Sequence, residues 1–366
     1  KRQQEDKECI DTAISINGLY TNDGEHACGY IISKDNLSNI IPIKYNSKLN
    51  NMSTQCNMAQ AESLGLLKMD FLNLKNLTII TEILKETDDD RLQNYLIRDA
   101  ILNDKDVFKH IYCSGNTLGV FQFESPGMTK MLKELQPDCF EDIIAAISLY
   151  RPGPMDFIPQ YIEGKHHPEN VVYKCEALKN ILSPTYGTIV YQEQVMEICR
   201  TLAGYSYGRA DLVRRAMAKK KHDVMEKERH SFIYGDTDSE GKISCTGALA
   251  NGVSEQTANE IFDEMSGFAS YAFNKSHAAA YAYLAYQTAY LKCHYMKQYM
   301  SALMSSVLDN TDKLIEYAEE CRFNGIAVLR PDINKSSAYF TSENDGIRYG
   351  LLAIKTLGLG VINEII

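Results

Sequence analysis

The chain changes texture once, near Leu72, and that change limits the fold more than any other feature. From Gly24 to Leu72, short apolar runs (Gly29-Tyr30-Ile31-Ile32 and Asn39-Ile40-Ile41-Pro42-Ile43) alternate with Asn-, Ser-, Lys- and Asp-rich clusters. That is the pattern of short strands joined by turns. Beyond Leu72, apolar residues recur at helical spacing (Leu74, Leu77, Ile80, Ile83-Leu84) until Asp88-Asp89-Asp90 interrupts them. Further helices are expected through Ile143–Leu149, from about Gln192 to Ala203, from Arg209 to about His230, and after Ser254 as a cap. The first of these stops at the rigid turn Arg151-Pro152-Gly153-Pro154. His277–Leu308 gives the clearest helix, being rich in Ala, Leu, Met and Tyr and free of proline. Residues 1–20 suit the end of an amphipathic helix, Gly235–Gly252 a loop, and the tail from Ile326 short strands. The expectation is an α+β chain, with a small mixed part followed by a large, mainly helical one.

The 366 residues leave room for two or three domains. At 45% hydrophobic and 23% charged, the composition argues against long disorder. No apolar run approaches the ~20 residues of a membrane span. The start, Lys1-Arg2-Gln3-Gln4-Glu5-Asp6, is no signal peptide and lacks an initiator methionine, so a piece of a longer protein is expected. Ten scattered cysteines include no C-x-x-C pair, which disfavours zinc sites and a disulfide framework alike. Reduced cysteines imply a reducing compartment, most simply the cytoplasm.

Net charge is −10, which excludes a uniformly basic nucleic-acid binder. Placement tells more than the total. Residues 201–235 carry eight basic and four acidic side chains, and Arg214–Lys221 holds five positive charges with no negative one. Arg214, Arg215 and Lys219 fall near one face of a helix. Such a run is either a solvated face or a polyphosphate clamp, in which Arg offers bidentate donors and Lys a mobile point charge. The cluster alone leaves both open.

Leu66–Leu72 alternates as a strand. Leu67, Met69 and Phe71 take one side, and Lys68 and Asp70 share the other with Leu66 and Leu72. A carboxylate and an ammonium on an otherwise apolar face suggest a site, while an exposed edge strand with an incidental ion pair is the plainer alternative. One aspartate does not make a Mg²⁺ site, which normally needs at least two carboxylates plus phosphate oxygens.

Seven segments in order then carry a resemblance. They are Gly65–Leu72, Gly119–Ser125, Leu149–Pro154, Tyr186–Met196, Leu212–Lys221, Phe273–Ala278 and Pro331–Asn334. Together they resemble the C family of bacterial replicative DNA polymerases, in its DnaE-like rather than PolC-like form, from about Gly24 to Ile366. The resemblance implies a thumb remnant at 1–20 and the end of a palm of the polymerase-β nucleotidyltransferase type at 21–75. A mainly α-helical fingers domain would occupy 76–366.

Asp70 matches the third of three metal-binding aspartates that share two Mg²⁺ ions, and Lys68 a palm lysine near the primer end and incoming nucleotide. Arg214 and Arg215 match arginines that bind the nucleotide triphosphate. Lys219, Lys220, Arg151, Asn274, Lys275 and His277 fall in motifs lining the same cleft. The implied partners are primer–template DNA, dNTP and, in the whole protein, a sliding clamp and other replisome subunits, with no membrane. Because two of the three carboxylates are missing, the 366-residue chain alone is expected to be inactive. Ala218, Ala272 and Asn73 stand where the family uses glycine and must manage with φ < 0 or strain. The competing class is a non-catalytic helical interaction or nucleic-acid-binding module, in which Arg214–Lys221 is a solvated face.

Overall fold

The structure, a computed structural model, describes residues 2–19, 24–26, 28–47, 50–87, 92, 102–218, 222–237, 240–269 and 271–366. The chain divides at Leu74/Lys75 into two compact units.

In the first unit, helix α1 (Arg2–Ile16) precedes two separate antiparallel strand pairs. Strand β1 (Gly29–Ile32) pairs with β4 (Leu67–Asp70), and β2 (Ile43–Asn46) with β3 (Asn51–Thr54). Between them lies a helix the sequence reading placed among strands, α2 (Met58–Ser63). Its start is fixed by a reciprocal cap: the Asn57 side chain accepts from the Gln60 N–H at 3.0 Å, and the Gln60 side chain from the Asn57 N–H at 3.0 Å. The Glu25 carboxylate accepts from Asn46 Nδ2 and Asn51 Nδ2 (2.6 and 3.0 Å), tying the segment before β1 to the β2–β3 hairpin. The core is thin. Ile41, Ala61 and Leu66 are buried, with Ile31, Leu37 and Cys56 packed around them.

The second unit is helical. Helix α3 (Lys75–Thr87) buries Ile79, Ile80 and Ile83. After a helical turn at Lys105–Val107 come α4 (Pro126–Leu135), α5 (Phe140–Leu149), α6 (Ile158–His166) and α7 (Glu176–Leu182). Then follow α8 (Gln192–Ala203), α9 (Tyr207–Ala218), α10 (His222–Tyr234) and α11 (Glu255–Ala269), where Ser254 Oγ accepts the Thr257 N–H at 3.1 Å. Helices α12 (Lys275–His294), α13 (Met296–Ser305), α14 (Thr311–Phe323) and α15 (Leu359–Ile365) come next. One apolar core joins α7 to α11, through Val195, Ile198, Leu202, Val213, Met217, Phe232, Ile261 and Phe262 among others. Aromatic rings fill another region, with Phe108 5.3 Å from Tyr286 and Tyr112 5.3 Å from Phe123.

Three expectations need correcting. The helix expected over Arg209–His230 is two helices, α9 and α10, with 219–221 outside the described residues. The loop expected at Gly235–Gly252 contains a short antiparallel pair, β5 (Asp236–Thr237) and β6 (Ile243–Cys245). His277–Leu308 is broken at Tyr295 (φ −130°, ψ 44°), which caps α12 and starts α13. No Gly or Pro marks that break, so composition hid it.

The expected strands of the tail are present: β7 (Val328–Leu329) lies parallel to β9 (Gly346–Arg348), which pairs antiparallel with β8 (Thr341–Glu343). No helix among the described residues is long and apolar enough to cross a membrane.

Helix α12 buries nine of its 20 residues, and it carries a cation into the core. The Lys292 side chain is 0% exposed. Its ammonium donates to Asn116 Oδ1 (2.6 Å), the Leu118 carbonyl (2.9 Å) and Glu320 Oε1 (2.8 Å). A buried charge persists only with partners of this kind.

Candidate functional site

The candidate residues fall into three groups, one in the first unit and two in the second. In the first, register decides the geometry. Gly29 stands opposite Asp70 and Ile31 opposite Lys68, so the lysine and aspartate share the face that Ile31 turns to the thin core. Lys68 Nζ donates to Asp70 Oδ1 at 2.5 Å; the lysine side chain is 15% exposed and the aspartate 40%. His26 Nδ1 lies 3.8 Å from the same oxygen. The Lys68 hydrogen bond, joined by the charges of Lys68 and His26, holds the Asp70 carboxyl below the usual aspartate range. A Cβ on Gly29 would come within 2.7 Å of Lys68 Cε, 2.9 Å of His26 Nδ1 and 3.0 Å of Asp70 Oδ1. The missing side chain is what lets the three polar groups meet. Leu67, Met69 and Phe71 are exposed, as are Tyr30 and Ile32 opposite them, so the apolar face of this pair is the uncovered one. Leu66 is buried and Leu72 exposed, which parts the two leucines expected beside Lys68 and Asp70.

The residues present do not by themselves fit a two-Mg²⁺ centre. Asp70 is one carboxylate, and one of its oxygens already accepts from an ammonium. The described residues contain one close grouping of three potential metal ligands, Asp138, Cys139 and Asp142, and it is elsewhere. There Lys165 Nζ bridges Asp138 Oδ1 and Asp142 Oδ2 at 2.7 Å each, so an ammonium holds that position.

The second group sits on α9. Ala210, Val213 and Met217 recur at helical spacing and seat the helix in the core, leaving Leu212 and Arg215 exposed. Arg214, between these faces, is 15% exposed and donates through Nε and Nη2 to Asp211 Oδ1 at 3.0 and 2.7 Å. Arg215, 64% exposed, pairs through Nε with Asp211 Oδ2 at 2.7 Å. The two arginines therefore converge on one carboxylate, one on each oxygen. The hydrogen bond from Arg214 and both positive charges hold the Asp211 carboxyl below its usual range. Arg209 anchors the helix from its other end. It reaches Glu228 on α10 (3.0 Å), Asp236 on β5 (3.2 Å) and Ser244 on β6 (3.1 Å), with its guanidinium 4.5 Å from the Tyr205 ring centre. Lys219 and Lys220 lie outside the described residues.

The third group gathers around the start of α12. Phe273 is bridged to Tyr191: Gln192 N donates to the Phe273 carbonyl (2.9 Å), and Phe273 N to the Val190 carbonyl (3.1 Å). Arg151 stacks over the Phe273 ring at 4.2 Å, donates to the Ser148 carbonyl at 3.0 Å and also bonds the Tyr271 carbonyl. Desolvation lowers its pKa. Gly153 (φ 100°) lets the turn pass Tyr271, whose ring a Cβ would strike at 2.3 Å. Asn274 caps α12 by accepting the His277 N–H at 2.8 Å, and its Nδ2 donates to Glu193 at 3.2 Å. The Lys275 N–H also donates to Glu193 (3.0 Å), while its ammonium pairs with Glu141 at 2.9 Å. His277 is exposed, its ring 4.4 Å from that of Tyr281. No hydrogen bond or ion pair among the described residues joins this group to Arg214 or Arg215. Ala272 and Asn73, in glycine positions of the resemblance, both avoid positive φ.

Sequence reasoning missed Asp211, Arg209, His26 and the role of Gly29. Asp211 had a signal, its i, i+3 and i, i+4 spacing to the two arginines. His26 had none, because only the β1–β4 pairing brings it to Asp70.

A small β-containing unit bearing a lysine–aspartate pair, followed by a large helical unit bearing an arginine pair, defines a chain of the α+β class. Residues 76–240 match the family model of the bacterial DNA polymerase III alpha subunit finger domain, and residues 1–73 that of the bacterial DNA polymerase III alpha NTPase domain. Residues 325–366 match a helix-hairpin-helix motif. DNA polymerase III subunit alpha of Chlamydia muridarum is 44% identical over 365 residues, covering 98% of this chain and 28% of the relative. Its counterparts in Borreliella burgdorferi and in Xylella fastidiosa (strain Temecula1) are each 42% identical and cover 98% and 100% of the chain. The chain belongs to the bacterial DNA polymerase III alpha subunit family. It spans less than a third of the length of these relatives (28–30%).

Proposed function

We propose that the chain is the palm-end and fingers part of a DNA-directed DNA polymerase, contributing nucleotide binding to template-directed transfer from dNTP to a primer 3′-hydroxyl. Residues 1–20 would be a thumb remnant, 21–75 the end of the palm and 76–366 the fingers. The observation that carries this is the pair of guanidinium groups on α9, held on one carboxylate within the segment that matches the finger-domain model.

Negative charge grows on the phosphate oxygens during nucleotidyl transfer, so fixed donors aimed at them accelerate it without covalent chemistry. Arg214 and Arg215 would bind the triphosphate, with Lys219 and Lys220 extending the same charge. Arg151, Asn274, Lys275 and His277 belong to the proposed nucleotide site. Arg151 holds the Tyr271 carbonyl and Asn274 the His277 N–H, while Lys275 pairs with Glu141 and His277 keeps an exposed ring. Lys68 would sit near the primer end and hold Asp70 ionised. Mg²⁺, proposed for the whole protein as two ions, would supply Lewis acidity; this chain offers one of the three carboxylates it needs. Primer–template DNA, dNTP, a sliding clamp and other replisome subunits are the proposed partners, and the cytoplasm the proposed compartment.

The test uses the whole protein of which this chain is part. Arg214→Ala with Arg215→Ala raises KM for nucleotide and lowers kcat; wild-type values for both would sink the clamp assignment. The 366-residue chain alone gives no primer extension, and any extension by it contradicts the need for further carboxylates.

A further inference from the structure

We propose that Asp211 is a positioning residue that presents Arg214 and Arg215 to a polyphosphate, gripping both side chains near their Nε atoms. The inference rests on the triphosphate-binding role given above to the two arginines. Neighbouring arginines at i and i+1 leave a helix in different directions and repel each other. Here each oxygen of a single carboxylate takes one of them, Oδ1 the Nε and Nη2 of Arg214 and Oδ2 the Nε of Arg215. Nη1 of Arg214 and both terminal nitrogens of Arg215 have no protein partner among the described residues. Those are donors a phosphate oxygen can take in pairs. The aspartate is itself placed by a helix whose opposite face is buried and whose start is bolted to α10 and the β5–β6 pair by Arg209.

Two effects of this carboxylate oppose each other, which makes the inference testable by sign. As a counter-ion, Asp211 cancels one of two positive charges, so removing it strengthens attraction for any polyanion. As a positioning group, it restrains two long side chains that a ligand would otherwise have to order, so removing it weakens binding. The shared carboxylate, with terminal donors left over, favours the second.

The experiment measures binding of inorganic triphosphate to the whole protein of which this chain is part, by calorimetry at low ionic strength, with circular dichroism reporting the fold of each variant. Asp211→Asn weakens binding about fivefold to tenfold, and Asp211→Glu, which keeps the carboxylate at the same helix spacing, restores most of it. Asp211→Ser replaces the asparagine variant if that one does not fold. Equal or tighter binding by a folded Asp211→Asn protein overturns the inference and makes Asp211 a counter-ion only. Arg214→Ala with Arg215→Ala separates the two levels. If it leaves triphosphate binding unchanged, or if the wild-type protein binds none, the underlying arginine role fails and this inference with it. If it removes binding while Asp211→Asn does not weaken it, only the inference fails.

Discussion

The two units stabilise their polar groups in opposite ways. The first buries Ile41, Ala61 and Leu66, with three partly buried neighbours, and leaves Tyr30, Ile32, Leu67, Met69 and Phe71 exposed on its β1–β4 pair. Its candidate charges, the largely covered Lys68 and the more exposed Asp70, stand on a two-stranded ladder, a structure of marginal independent stability. The second unit has cores deep enough to enclose an ammonium at Lys292, and it holds its arginines on a helix seated in one of them. Charge placement in the second unit is a consequence of packing; in the first it follows from strand register and one absent Cβ at Gly29.

Substitutions at three places test this contrast, in decreasing order of effect. Lys292→Ala leaves Glu320, Asn116 and the Leu118 carbonyl without their buried partner and costs about 3–5 kcal/mol, read as a lower denaturation midpoint of the second unit. Lys292→Met with Glu320→Gln recovers more than half of that, because no uncompensated charge remains; a single variant at wild-type stability would mean that the second unit tolerates a stranded carboxylate. Leu66→Ala costs about 2–3 kcal/mol, and the loss stays local. Hydrogen exchange of β1 and β4 amides accelerates while the second unit's midpoint holds. A matching fall in that midpoint would mean the two units unfold as one.

The smallest effect is at Asp70. Lys68→Met raises its carboxyl toward the ordinary value of about 3.9, followed by NMR titration of the side chain. The sign follows from linkage: a carboxyl held low in the folded state contributes stability above its unfolded pKa and loses it as pH falls through the folded one. An unshifted titration in the variant would mean that His26, not Lys68, holds the carboxyl down.

Much of this contrast was readable in the chain. The change of texture at Leu72 lies two residues from the boundary between the units. Gln192–Ala203 and the helix after Ser254 were legible because caps and apolar spacing are local properties. Helix α2 had a local signal too, Asn57 three residues before Gln60, masked by the strand-like texture around it. Strand alternation put Lys68 and Asp70 on one face and helical spacing put Arg214 and Arg215 near each other, while the Asp211 carboxylate that joins the arginines went unread. What stayed hidden depends on distant partners. Tyr295 ends a helix without a breaker residue, and the hairpin of β5 and β6 is too short and polar to register. Likewise the company of Lys292 comes from residues 28 to 176 positions away in sequence, which no window could contain.

That last arrangement has a practical consequence for anyone cutting the gene. Lys292 draws acceptors from Asn116 and Leu118 in one stretch and from Glu320 in another, so two widely separated stretches meet at one nitrogen. A shortened version that starts after Leu118 deprives the ammonium of two acceptors, and one that stops before Glu320 removes its counter-charge. Both leave a cation in an apolar interior, at a cost of several kcal/mol. Expression fragments of the second unit should therefore keep Asn116 through Glu320 on one polypeptide, whatever boundaries sequence motifs suggest.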